Sequence, residues 1–413
     1  MKKFWKIARS VLIVLAALLV FTFVWIVANE YVPLANEEVE VEADGDTAYI
    51  RGGQELSVLT WNIGYCGLGE GSDFFMDGGH DTKSADQDTV LKYMLGIKKF
   101  LRDKDPDLIM LQEVDSNSSR TYSINETDYL TAGESVYALN YSCVYVPIPI
   151  PPIGRVNSGL FTTTDLYIDK AERISLPCPF SWPVSAANLK RCLLVSYLPI
   201  QDSTKKLVLV NLHLEAYDDG EGKIAQTNQL REFIEFEYSK GNYVIAGGDF
   251  NQIFPGGLEA YPNTHTDLWE PGILDEDMLP DGWRFAYDLG TPSCRLLNQP
   301  YDPTDTENTQ YYVIDGFILS PNVELKNVEC IDLGFENSDH NPVAIDVVQL
   351  VKKVKDFFDR AYPPGILKAF KMPLRPKALM HQAFLRRFIQ FEAGLAPSSS
   401  PAALSLYFAV WIL

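Results

Sequence analysis

None of the chain's six cysteines (Cys66, Cys143, Cys178, Cys192, Cys294, Cys330) stands in a Cys-x-x-Cys pair, so a zinc cluster on paired thiolates is not expected. No compositional bias or repeat marks the chain as fibrous or low-complexity; 46% hydrophobic and 22% charged residues describe a globular protein. Positive charge is scarce where it would matter for a polyanion. The 35 basic and 55 acidic side chains, less four basic in 1–29 and ten basic and three acidic in 351–413, leave 21 and 52 in residues 30–350, a net of −31. So acidic a body is poorly suited to non-specific nucleic-acid binding, which runs on Lys and Arg neutralising phosphates. A local basic cleft stays open, so a nuclease is disfavoured rather than excluded.

What the sequence does have begins with an uncharged run, Val11 to Ala28, which with Ser10 and Asn29 reaches the ~20 residues of a bilayer-crossing helix. Lys2, Lys3, Lys6 and Arg9 precede it and Glu30, Glu37 and Glu38 follow, which predicts a cytoplasmic amino end. No small-x-small cleavage site follows the run, favouring an uncleaved anchor over a signal peptide. Either reading exports the body, to the periplasm or outside the cell. Export permits disulfides, and the sequence leaves open whether the six cysteines pair or stay as buried thiols. The expected layout is a basic cytoplasmic end (1–9), an anchor (10–29), an acidic solvated stalk (30–50), a catalytic domain (51–350) and a basic, apolar C-terminal extension (351–413) with no assigned role. Within that extension Ala383 to Leu395 carries a helical apolar stripe, and Leu404 to Leu413 is too short to span a bilayer.

The body is organised around Tyr243 to Gln252, an apolar run closing in Gly247-Gly248-Asp249-Phe250-Asn251. Strand alternation would put Asp249 and Asn251 on one side, and the glycines would admit a close backbone or ligand. Glu55–Ile63, Asp107–Val114, Tyr141–Val146, Ser158–Thr163, Leu189–Tyr197, Lys206–Leu214, Tyr311–Ser320 and Pro342–Leu350 also read as strands. Val90–Leu101 and Ala225–Tyr238 read as helices, and 256–310 as long loops with short elements. Strands outnumber helices, yet helices cross between several of them. The predicted fold class is α/β, two packed mixed β-sheets flanked by helices.

Acids, amides and histidines gather at strand ends: Asn62, Glu113, His213, Asp249, Asn251, Asp315, Asp339 and His340. Asp315 lies in an otherwise apolar strand and needs a partner. The ordered set Trp61-Asn62, Gln112-Glu113, Asn157-Ser158-Gly159, Asn211-Leu212-His213-Leu214, Gly247 to Asn251, Ile314 to Ile318 and Ser338 to Val343 resembles the endonuclease/exonuclease/phosphatase superfamily (DNase I-like), with the closest likeness to bacterial membrane-anchored members. The resemblance covers about residues 55–350 and implies a four-layer α/β sandwich with the site at one end of the sheets. It implies a metal site at Glu113, Asn62 and Asp339, holding Mg²⁺ or alternatively Mn²⁺. Asp249 and Asn251 would orient water and phosphate, His340 with Asp315 would contact the scissile phosphate, and His213 would be the acid for the leaving group. Abasic-site endonucleases lack that histidine, which argues against that branch.

Residue chemistry agrees with a Mg²⁺-dependent phosphoesterase: water attack on a phosphate ester requires polarised oxygens, and no Ser or Cys nucleophile signature is present. Asn157, Arg155 and Arg295 are candidate substrate contacts. The apolar loop Tyr145 to Arg155, the anchor and the acidity favour a lipid head-group or small phosphodiester as substrate. A DNase I-like nuclease is the alternative and a non-catalytic binding module the third reading. Expected partners are the phosphate-ester substrate and, through the helix, the membrane.

Overall fold

A computed structural model describes residues 1–349, apart from 44, 46, 84, 85, 219, 266, 306 and 307. The extension from 351, with both of its expected apolar segments, lies outside the described residues. Helix α1 (Lys2–Ala28) is long and apolar enough to cross a membrane, and protein buries almost none of it.

Two large mixed sheets carry the body. In chain order the strands are β1 (Asn36–Val39), β2 (Glu55–Asn62), β3 (Leu108–Asp115), β4 (Glu134–Val146), β5 (Gly154–Thr164), β6 (Lys170–Ser175), β7 (Cys192–Pro199), β8 (Lys206–His213), β9 (Tyr243–Asp249), β10 (Arg284–Ala286), β11 (Asp315–Leu319), β12 (Val323–Cys330) and β13 (Val343–Gln349). One sheet runs β1-β6-β7-β8-β9-β11-β10, the other β12-β13-β2-β3-β5-β4. Only β2–β3 and β8–β9 pair in parallel within these sheets. A parallel pair needs a crossover, and each has a helix: α2 (Gln87–Lys104) and α3 (Glu221–Ser239).

Side-chain alternation builds the layers. Leu56, Val58 and Met110 of one sheet meet Leu194, Leu209, Ile245 and Phe317 of the other in the central core. The opposite faces, Leu59, Trp61, Ile109 and Leu111, pack on Val90, Tyr93, Met94 and Ile97 of α2. Likewise Val208, Val210 and Val244 pack on Leu230 and Ile234 of α3. The result is helix, sheet, sheet, helix, as the sequence predicts. Helix α2 starts where Asp86 accepts from the Thr89 N–H (2.8 Å) and stops at Asp105 (φ 52°), before Pro106. Removing a core ring such as Phe317 costs roughly 3–5 kcal/mol.

Both glycines of the Gly-Gly-Asp turn are needed for packing within the sheet. A Cβ at Gly247 would lie 2.3 Å from the Phe317 ring, and one at Gly248 (φ 150°) 1.9 Å from the Leu212 carbonyl oxygen.

The expected stalk differs: β1 is an edge strand paired with β6, Glu42 bridges Ser135, and Ala48 and Ile50 bridge Leu166 and Ile200. Acidic residues at an edge leave one side of the strand in water, so the charge pattern conceals the pairing. All six cysteines are free, and five are buried.

Candidate active site

The parallel strands end on the same side, and their last residues meet in a cavity of about 530 Å³. Asn62 closes β2, His213 closes β8 and Asp249 closes β9. All three line the cavity with Glu113, Asn251, Asp339 and His340.

Glu113 reaches it by a bulge. The register between β3 and β5 shifts between Leu111 and Val114, and Glu113 has φ 55°. A non-glycine residue in that region costs about 1–3 kcal/mol and re-aims its side chain. Asn251 (φ 50°) lies past the end of β9. Its N–H donates to Asp249 Oδ1 (2.8 Å) and its Nδ2 to the Leu214 carbonyl (2.8 Å), so a turn rather than strand alternation aligns the pair.

The two sheets are joined by Asn62, whose Nδ2 donates to Asp249 Oδ2 (2.9 Å) and Glu113 Oε1 (3.3 Å). Its oxygen accepts from the Gly64 N–H (3.1 Å). Asn62 therefore bridges two carboxylates with its amide nitrogen, where an oxygen ligand was expected. The loop bearing Asp339 and His340 is tied down from both sides. Trp61 Nε1 donates to the His340 carbonyl (2.8 Å), Ser338 Oγ to the Asn62 carbonyl (2.8 Å) and the Arg295 N–H to the Asp339 carbonyl (3.0 Å).

His340 Nδ1 lies 2.8 Å from Asp315 Oδ2, the partner that a buried carboxylate in an apolar strand demands. Asp315 stands directly opposite Asp249 in the β9–β11 pairing. His340 Nε2 is 3.8 Å from both Asp249 Oδ2 and Asp339 Oδ2, and His213 Nε2 is 3.4 Å from Asp249 Oδ2.

The electrostatics separate the two histidines. Burial would depress His340, but Asp315 and the neighbouring Cys294 and Asp339 raise it well above the usual range, so it is charged at neutral pH. Burial and the Arg191 guanidinium push His213 well below that range, so it is neutral. A neutral imidazole is a weak acid, so the shift sets His213 against the proton donation expected of it. Burial and the opposing Asp315 raise Asp249 to about 6, despite His340 and the Asn62 hydrogen bond. Burial raises Asp339 to about 7, with Glu113 adding to the rise and His340 opposing it.

The donor set fits a hard divalent cation. Among the described residues no Lys or Arg forms an ion pair with Glu113, Asp249 or Asp339; the arginines of the cavity wall act on them only from farther off, and the imidazoles of His213 and His340 are the closest basic groups. Oxygen donors of this kind suit Mg²⁺. Two other clusters have donor atoms within 4.8 Å, Asp249–Asp315–His340 and Cys294–Asp339–His340. In the first, Asp315 Oδ2 is engaged by the histidine. In the second, burial pushes the Cys294 thiol up to about 12. Glu113 and Asp339 both line the cavity and offer carboxylate oxygen, the donor a hard cation prefers.

The proposed substrate contacts fare unevenly. Arg155 is exposed and donates to the Asn117 carbonyl (2.8 Å) and side chain (2.6 Å), away from the cavity lining. Asn157 accepts from Ser142 Oγ (2.9 Å) on the other face of β5, while its neighbours Val156 and Ser158 line the cavity. Arg295 does line it, but its guanidinium donates to the carbonyls of Gly69 (3.0 Å) and Ser72 (3.1 Å) and acts as a clasp.

Four of the lining residues that sequence reasoning missed bear on the chemistry. Arg120 pairs in two-pronged fashion with Asp115 (2.8 and 2.9 Å) and lies 3.6 Å over the Tyr65 ring. Tyr65 Oη and Ser158 Oγ are buried without hydrogen-bond partners in that wall. Arg191 pairs with Glu215 (3.2 Å) and donates to the His213 carbonyl (3.1 Å). Tyr65, Arg120 and Arg191 sit in no recognisable spacing; Ser158 lies within the Asn157-Ser158-Gly159 motif, but that its hydroxyl faces the cavity unpartnered is visible only in three dimensions.

A profile of the endonuclease/exonuclease/phosphatase family matches residues 59–340. No curated protein sequence matches the chain. Similar solved structures include an endonuclease/exonuclease/phosphatase from Beutenbergia cavernae (17% identity, 72% of each chain covered, TM-score 0.45). Others are truncated Caenorhabditis elegans TDP2 (18%, 71% of this chain and 97% of that, 0.41) and a mannosyl-6-phosphatase from Bacteroides thetaiotaomicron (16%, 71% and 99%, 0.45).

Proposed function

The chain belongs to the endonuclease/exonuclease/phosphatase family, and from that membership and its site we propose a Mg²⁺-assisted phosphodiester hydrolase, held to a membrane by α1 with residues 51–350 as its extracytoplasmic catalytic domain. One observation carries the reading: four separate segments bring Asn62, Glu113, Asp249 and the adjacent Asp339 and His340 into one hydrogen-bonded cavity.

Glu113 and Asp339 would hold the ion, with Asn62 fixing Glu113 against Asp249. When bound, Mg²⁺ (or Mn²⁺) supplies positive charge that polarises the phosphoryl oxygen. Asp249, poised near pH 6, takes the proton of the attacking water, which Asn251 helps to position. Charged His340, oriented by Asp315, faces the phosphate oxygens. His213 stays neutral and offers a hydrogen bond beside Asp249.

The substrate reading is a lipid head-group or small phosphodiester, supported by the apolar wall of Leu68, Phe74, Val146, Ile148 and Phe180. The test uses the full chain in detergent, with EDTA and then with Mg²⁺, against bis(p-nitrophenyl) phosphate, mixed phospholipid micelles and plasmid DNA. Mg²⁺-dependent turnover of the first two is expected. Plasmid cleavage alone would make the protein a nuclease, and no turnover on any would remove the enzymatic reading.

A further inference from the structure

We infer that the mouth of the active-site cavity is seated on the bilayer: the β4–β5 loop (147–153) and segment 180–184 form an apolar rim that enters the lipid head-group layer beside α1. This deepens the proposed function and rests on α1 being a membrane anchor.

The level of the membrane follows from α1 itself. Trp5 and Trp25 are 20 positions apart, about 30 Å along a helix. That is about the thickness of the hydrocarbon core, and tryptophan favours its two boundaries. One boundary therefore lies near Trp25, and the catalytic body meets the helix at that height. The Trp25 ring packs against Tyr145 at the end of β4 (centroids 6.4 Å). Two residues deeper, Phe23 meets Trp182 edge-on (6.0 Å). Glu30, just past the helix, pairs with Lys190 (2.9 Å), and both side chains are largely buried.

Those contacts hold the rim at the boundary, and its outward side chains are apolar. Ile148 is 70% exposed, Ile150 90%, Trp182 61% and Val184 58%. Large apolar side chains projecting from two segments that touch a membrane helix fit a lipid surface. The same segments turn inward: Ile148, Pro149, Ile153 and Phe180 line the cavity that holds Asp249 and His340. Apolar side chains thus run from the rim into the cavity, and a phosphate ester in the head-group layer would enter it past them.

The experiment reconstitutes the full chain in phosphatidylcholine vesicles on a Cys178→Ser background, since Cys178 is the one exposed cysteine. A bimane label is placed at Ile150→Cys, at Leu15→Cys within α1, and at Asn327→Cys on the exposed part of β12. Brominated acyl chains are expected to quench positions 150 and 15 at least twofold and to leave 327 unchanged. Quenching at 15 without 150 overturns the docked rim and leaves the anchor standing; quenching at neither overturns both. A label at 150 that resists both bromolipid and soluble iodide shows a protein partner or second copy on the rim, which also overturns the proposal. Turnover of bis(p-nitrophenyl) phosphate by the parent is measured in parallel. Its absence removes the phosphoesterase reading without altering the quenching result.

Discussion

The two strand–helix–strand units, β2–α2–β3 and β8–α3–β9, use one local architecture for different chemistry. Each ends its first strand in a polar residue and places a carboxylate at or near the end of its second: Asn62 and Glu113 in one, His213 and Asp249 in the other. Under the proposed function the first wall, completed by Asp339, offers oxygen to a cation. In the second, Asp249 is raised to about 6 and His213 lowered, which under the proposed function suits that wall to proton transfer. Asn62 bonds to both carboxylates and keeps the walls in register. The repeated local architecture therefore fixes where the groups lie, while burial, and after it Asp315 and Arg191, sets the charge each carries.

The sharpest way to break this division is to remove one carboxylate from each wall. Glu113→Ala and Asp249→Asn are each expected to lower kcat/KM on the order of 10³-fold. Only Glu113→Ala should abolish Mg²⁺ binding by calorimetry. Loss of binding in both variants would merge the walls into one metal site. Alanine keeps a Cβ and with it the strained φ at 113, so the first variant's Tm should stay close to the parent's, with no gain from backbone relief.

A smaller effect, about 10²-fold, is expected for His340→Ala, with His213→Ala milder. Their charge states give the direct test. In EDTA at pH 7, ¹⁵N spectra of histidine-labelled protein should show imidazolium at 340 and neutral imidazole at 213. Arg191→Gln should move only His213 upward. Two imidazoles titrating together near 6.5 would remove the tuning on which the comparison rests.

Much of this was legible in sequence because strand ends carry the chemistry. The apolar run before Gly-Gly-Asp, the polar residues closing β2 and β8, and the lone Asp315 all follow from alternation and burial. Asn251 was placed beside Asp249 for the wrong reason, since a left-handed turn brings it there. The bulge at Glu113 leaves no mark in residue type, and neither does the side of β5 that faces the cavity; Asn157 was chosen where Ser158 lines it. Positive charge makes Arg155 and Arg295 candidates in sequence, but hydrogen-bonding geometry assigns their guanidiniums to the carbonyls of Asn117, Gly69 and Ser72. β1 was hidden because an edge strand tolerates acids.

Asp339 yields an effect on stability. Its pKa rises from 3.8 to about 7, so the folded state holds the proton more tightly than the unfolded state. That contribution is present at low pH and disappears as pH rises through about 4 to 7. Above pH 7 the buried charge lowers stability by at most about 4 kcal/mol in metal-free protein. Asp339→Asn should therefore raise the Tm at pH 8 in EDTA by a few degrees and abolish the further rise that Mg²⁺ gives the parent. A lower Tm would show that the carboxylate is already neutralised by protein groups, and the first wall would not be a cation site.

The smallest expected effect marks where the first wall ends. Asn157 and Ser158 are adjacent in β5 but face opposite sides of the sheet, and only Ser158, with its unpartnered hydroxyl, lines the cavity. Asn157→Ala forfeits the bond from Ser142 Oγ, about 1 kcal/mol of stability, and should leave KM within roughly twofold. Ser158→Ala should leave Tm unchanged, because no protein hydrogen bond is lost, and should raise KM by roughly threefold to tenfold if substrate takes the hydroxyl. The two variants thus separate along opposite axes, stability for one and binding for the other. Should Asn157→Ala raise KM and Ser158→Ala not, β5 would present its other face to the substrate, and the cation-holding wall would extend beyond the cavity that Glu113 and Asp339 share.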